Sequence, residues 1–245
     1  MAVVVQAGHV NIEQNCAEAL RGETGAPGER EYVAGIAATV AGAIQAHGPV
    51  CIVADANFNC TQDVHTDYQA VVALHCDGRS TSGFAVGVGD PTKDGAAAAS
   101  AKLCSALRSA YASATKLKDI DDLTSDVNVT EYYLFNELSQ ATPFALIELG
   151  AIAAADGSPG PDRDYLLSHQ QQVAEGVVNG LLAFLGLSQA GSSVTVEPAP
   201  AEPSNAPAPI ANPPQPSSTK GDLRAAATQI AAEAQTLLNL INELP

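Results

Sequence analysis

Two hydrophobic patterns alternate along the chain. Short, almost wholly apolar or β-branched runs at 2–6, 50–54, 69–75, 83–88, 130–135 and 143–148 read as strands. Between them, residues 29–46, 93–115 and 162–186 carry apolar side chains at three- and four-residue spacing and read as helices. Valines at 3, 4 and 5 leave the first strand without a polar face, which suits a parallel sheet covered by helices on both sides. The alternation predicts one α/β domain with a mostly parallel sheet over residues 1–187. No repeat of 20–50 residues is present in it.

The pattern stops near residue 188. Residues 188–219, "SQAGSSVTVEPAPAEPSNAPAPIANPPQPSST", hold eight of the fifteen prolines, so this Ala/Pro/Ser-rich stretch builds no core and reads as a semi-extended linker. Residues 220–245 then return to a helical pattern. Leu223, Ala227, Ile230, Ala234, Leu237, Ile241 and Leu244 recur at alternating four- and three-residue steps, the spacing of a coiled-coil seam. A helix of three heptads is marginal alone, so this amphipathic C-terminal helix is expected to form a homo-oligomer through residues 222–244.

Composition narrows the function classes. Eleven Lys and Arg against 27 Asp and Glu give a formal net charge of −16, which argues against nucleic acid or an anionic membrane surface as partner. No stretch approaches the roughly 18 apolar residues of a membrane span, so no membrane insertion is expected. The start, Met-Ala-Val-Val-Val-Gln, has no basic region ahead of an apolar one, so no signal peptide is expected and synthesis in the cytoplasm is. Five cysteines, at 16, 51, 60, 76 and 104, show no CxxC spacing, and reduced, buried thiols are the default expectation.

Candidate chemistry gathers at strand ends. The first strand runs through Ala7-Gly8 into His9, and the strand "YQAVVALHCDG" ends at His75. Side chains at the carboxyl edge of a parallel sheet line the crevice where such folds bind ligands. The apolar run "TPFALIELG" carries Glu148, a carboxylate whose burial is costly unless a metal or catalytic duty accounts for it. Two histidines and a carboxylate make a catalytic zinc set, and a second carboxylate then serves as proton acceptor. Glu29 opens the first helix, where a helix dipole alone explains a glutamate, and Glu23 and Glu31 compete for any ligand role. His65 sits mid-loop and reads as a surface histidine, while strand alternation turns Cys76 away from its neighbour His75.

The ordered series His9, Glu29-Arg30, His75-Cys76-Asp77 and "IELG" at 147–150 resembles the zinc-dependent N-acetylmuramoyl-L-alanine amidases of the type 3 family. "SGF" at 82–84 and the apolar spacing after Glu29 (Ile36, Ala37, Val40, Ile44) add to the likeness, which spans about residues 1–187. The resemblance implies a mainly parallel sheet of about six strands flanked by helices, with Zn2+ held by His9, Glu29 and His75 and Glu148 as the catalytic base. It implies hydrolysis of the amide between N-acetylmuramic acid and L-alanine, with bacterial peptidoglycan as partner. Without a signal peptide, a phage endolysin fits better than an exported wall enzyme: such a protein stays in the host cytoplasm before release. Three features depart from the family pattern: Gln6 where aspartate is common, "FNCTQDVHTDY" before the second histidine, and "GAIAAADGSPGPDRD" after Glu148. Two other readings remain at this level, a zinc carboxypeptidase or related amidohydrolase and a catalytically inactive wall-binding or scaffolding protein. "HVNIE" has His-x3-Glu where such carboxypeptidases use His-x2-Glu, and retention of Glu148 counts against an inactive protein.

Overall fold

The structure is a computed structural model, described here over residues 1–89, 95–120 and 132–187. The linker 188–219 and the helix expected at 220–245 lie outside the described residues, and so does the oligomer seam.

Five strands form one sheet: β1 (Val3–Ala7), β2 (Cys51–Ala54), β3 (Ala70–Gly78), β4 (Ala85–Gly87) and β5 (Phe144–Ala153), in the order β2-β1-β3-β5-β4. Four of them run parallel, and only β4 pairs antiparallel, with β5. The helices are α1 (Glu29–Ala46), α2 (Ala97–Thr115), α3 (Tyr133–Glu137), α4 (Arg163–Ser168) and α5 (Gln170–Phe184).

Strand alternation sorts each strand onto two faces. Val3, Val5, Val72, Leu74, Cys76, Ala145 and Ile147 join the buried stripes of α1, α2 and α5 in the larger core. Val4, Val71, Ala73, Phe144 and Leu146 face the other way and pack with Phe58, Val64, Leu134 and Phe135. Both faces of the central strands are therefore covered, and Val3, Val4 and Val5 are fully buried, as the unbroken valine run predicts.

Three expectations are corrected. The run at 130–135 is no strand where it is described: residues 133–137 are helical, with Leu134 and Phe135 buried together against the smaller core face. A short apolar run with few polar interruptions fits either element, and packing decides it. The sheet has five strands among the described residues, in keeping with the mainly parallel sheet of about six that the resemblance implies. The helix predicted at 162–186 divides at His169, whose backbone leaves the helical region (φ −123°, ψ 33°). The predicted 93–115 helix starts at Ala97, residues 93 and 94 lying outside the described set.

The thiols are also not all reduced: Cys16 and Cys60 form a disulfide, with Cα atoms 5.6 Å apart, while Cys51, Cys76 and Cys104 are free. Forty-four positions separate the two cysteines, so spacing alone did not reveal the pair. The bridge ties the loop between β1 and α1 to the loop after β2. Cys76 points into the larger core, on the face opposite its neighbour His75, as alternation predicts. His65 is exposed. Among the described residues no helix is long and apolar enough to cross a membrane.

A candidate metal centre at the sheet edge

Gln6, His75 and Glu148 occupy the same sheet face near the carboxyl edge, since β1 pairs with β3 and β3 with β5 in parallel register, placing His75 beside Glu148. His9 reaches this edge through a tight exit from β1. Its backbone is left-handed (φ 58°), which turns the chain sharply at the strand end. Gly8 is required just before it, because a Cβ there would run into the His75 ring.

Glu29 comes from the first turn of α1. It is 1% exposed, whereas Glu23 and Glu31 are exposed, so burial separates the three candidates. Its Oε2 accepts the Ala26 N–H at 2.7 Å, and its Oε1 accepts the Cys76 N–H at 3.0 Å. Gly25 (φ +73°) lets the loop pass over this carboxylate, since a Cβ there would lie 2.5 Å from Glu29 Oε2 and 2.7 Å from His9 Cδ2.

The three side chains converge. Glu29 Oε1 lies 3.1 Å from His75 Nδ1 and 3.7 Å from His9 Nε2, and the two imidazoles meet edge to face with centroids 4.9 Å apart. One ligand atom from each of His9, Glu29 and His75 falls within 4.8 Å of the others, which makes the trio a candidate metal-binding group. Four-coordinate zinc with bonds of about 2.0–2.1 Å sets its ligand atoms about 3.3 Å apart, near the 3.1 and 3.7 Å that separate Glu29 Oε1 from the two histidines. The free ring nitrogens are committed elsewhere: His9 Nδ1 bonds the Glu23 carbonyl, leaving Nε2 toward the trio. Glu23 thus enters the site through its backbone only.

The electrostatics suit a cation. Burial pushes the His9 imidazole down, reinforced by His75, so it favours the neutral form that binds metal. Burial alone would raise the Glu29 carboxyl, but the two histidines beside it, His75 foremost, bring it below the usual range. Burial raises Glu148 well above an ordinary carboxyl, and the negative charges of Glu29 and Asp77 raise it further, with Arg79 opposing them. Glu148 Oε2 is screened from solvent and has no hydrogen-bond partner. A buried, unsatisfied acceptor is costly in a fold that pairs almost all such groups.

Several contributors escaped sequence reading. Arg79 is buried with its Nε 3.0 Å from Asp77 Oδ2, and supplies positive charge to Asp77 and Glu148. Asp162, 2% exposed, accepts from Ser82 Oγ, the Gly83 N–H and the Ala151 N–H, tying the turn before β4 to β5. The signal for Gln6 was visible, a polar residue inside a valine run. Nothing local marked the others.

No family model matches the chain, and no curated protein does. Solved structures do. N-acetylmuramoyl-L-alanine amidase AmiC2 of Nostoc punctiforme aligns at 19% identity and a TM-score of 0.54, over 76% of this chain and 97% of that one. Ami1, the N-acetylmuramyl-L-alanine amidase from Mycobacterium smegmatis, aligns at 19% identity and a TM-score of 0.55, with coverage of 76% and 97%. The catalytic domain of the CD27L endolysin targeting Clostridia difficile aligns at 12% identity and a TM-score of 0.51, over 75% and 97%. The chain therefore has the fold of N-acetylmuramoyl-L-alanine amidases.

Proposed function

We propose, from a fold shared with N-acetylmuramoyl-L-alanine amidases, that this chain is a zinc-dependent peptidoglycan hydrolase. It cleaves the amide between the lactyl group of N-acetylmuramic acid and L-alanine. The observation that carries the reading is the meeting of His9, Glu29 and His75 beside Glu148 on one sheet edge.

His9 through Nε2, His75 through Nδ1 and Glu29 through a carboxylate oxygen would hold the ion. When bound, zinc acts as a Lewis acid and lowers the pKa of a bound water toward about 7. Glu148 does the proton work. Its carboxylate accepts the proton of the water that attacks the lactyl carbonyl and returns that proton to the alanine nitrogen as the C–N bond breaks. Burial and like charges raise the affinity of Glu148 for a proton, which brings it nearer the neutral range where an acid–base group is most effective. Arg79 opposes Glu29 and Asp77 and so limits how far Glu148 is driven toward its neutral form.

The endolysin role fits a chain that waits in the host cytoplasm and acts on the wall after release. The Cys16–Cys60 bridge then closes once the protein meets an oxidising surface.

Glu148→Ala tests the reading. It removes the proton acceptor and no ligand, so purified cell walls should release muramic-acid-linked peptides more than a hundredfold more slowly. Zinc content and the unfolding midpoint should stay near those of the parent. Near-parental release from the variant would sink the mechanism, and absence of bound zinc in the parent would sink the metal site.

A further inference from the structure

Gln6 is fully buried in a valine strand, and a buried amide must have its donors and acceptor met. Each of its partners has a fixed direction. The Tyr133 hydroxyl donates to the Ala56 carbonyl at 2.9 Å, so its oxygen is left to accept from Gln6 Nε2 at 3.2 Å. The same Nε2 approaches the Asp55 carbonyl at 3.4 Å. With the NH2 group held by two acceptors, Gln6 Oε1 faces Tyr132, whose hydroxyl donates to it at 3.0 Å.

A phenol has one proton to give. Tyr132 gives it to Gln6, so toward His75 Nε2, 3.0 Å away, it can only accept. His75 must then carry its proton on Nε2, which leaves the lone pair on Nδ1, the nitrogen facing Glu29 Oε1 at 3.1 Å. The rings of Tyr132 and His75 meet edge to face with centroids 5.2 Å apart, and Tyr132 stacks on Phe144, so the phenol is held in place.

We infer that Gln6 and Tyr132 are positioning residues that select the Nε2–H tautomer of His75, through a relay of hydrogen bonds running from the Ala56 carbonyl by way of Tyr133. The relay presents Nδ1 to a metal ion as a ready lone pair. It rests on the zinc-site reading above.

Nitrogen-15 NMR of the histidine rings in the unmodified full chain tests this without any activity measurement. In the zinc-loaded protein, His75 should show a proton on Nε2 and the shift of a metal-bound nitrogen at Nδ1. Tyr132→Phe removes the acceptor, and the zinc affinity, measured by competition with a chelator, should fall ten- to a hundredfold, the usual cost of losing such a partner. Gln6→Leu should give a fall in the same direction, with both variants keeping a parental far-UV spectrum. Zinc bound with the His75 proton on Nδ1 overturns the relay and leaves the zinc site standing. So does a Tyr132→Phe affinity within twofold of the parent. Failure of the parent to bind zinc overturns the site and the relay together.

Discussion

Replacing Glu29 by glutamine separates two accounts of a glutamate at a helix start. If its role were only to meet the positive end of α1, loss of the charge would cost about 0.3–1 kcal/mol. The structure demands more. The two carboxylate oxygens take two backbone donors, Ala26 N–H on Oε2 and Cys76 N–H on Oε1, while Oε1 also faces His75 Nδ1 at 3.1 Å. A glutamine has one acceptor oxygen, so in either orientation its NH2 group faces a backbone N–H. Leaving one such donor unpaired costs about 1–3 kcal/mol, and turning the other bond from charge-assisted to neutral costs about 1 kcal/mol more. Removing a charge that repels Glu148 returns part of this. The expected loss is at most about 2–4 kcal/mol in the zinc-free protein, read from urea unfolding with the slope unchanged. Zinc content, read by atomic emission, should drop to background. A loss under about 1 kcal/mol with zinc retained would refute this placement of Glu29 and return it to a helix-start residue.

Three further outcomes follow from particular contacts. Changing both Cys16 and Cys60 to serine opens a loop of 44 positions, for which chain entropy gives about 4 kcal/mol. Unfolding with and without reductant should therefore differ in the parent and coincide in the variant; identical curves in the parent would show that the bridge adds nothing. Asp162→Ala strands the N–H groups of Gly83 and Ala151, and at about 1–3 kcal/mol for each unpaired donor the unfolding midpoint should fall clearly. A midpoint within error of the parent would remove Asp162 from the frame of the site. Light scattering on the full chain and on residues 1–190 should give an oligomer and a monomer; two monomers would end the case for self-association through 222–244.

Much of the fold was legible because its signals are local. The valine run of β1, the 3.6-residue stripe of α1 and the apolar run of β5 each declare an element from within a dozen residues. Strand ends in a parallel sheet share one edge, so His9, His75 and Glu148 were expected together before any contact was known. What the chain could not declare depends on partners far apart in sequence. Position 16 meets 60, Gln6 meets Tyr132 across 126 positions, and Asp162 meets Gly83 across 79. The run at 130–135 went the wrong way for the same reason, since short apolar stretches take the form that the facing surface rewards. The order of residues was enough for the strand–helix alternation and the residue types at the sheet edge, because backbone periodicity and side-chain chemistry are properties of neighbours. Tertiary structure alone decided which glutamate is buried against the histidines, which cysteines join and which nitrogen of His75 is left free, because those follow from distances that only the folded chain creates.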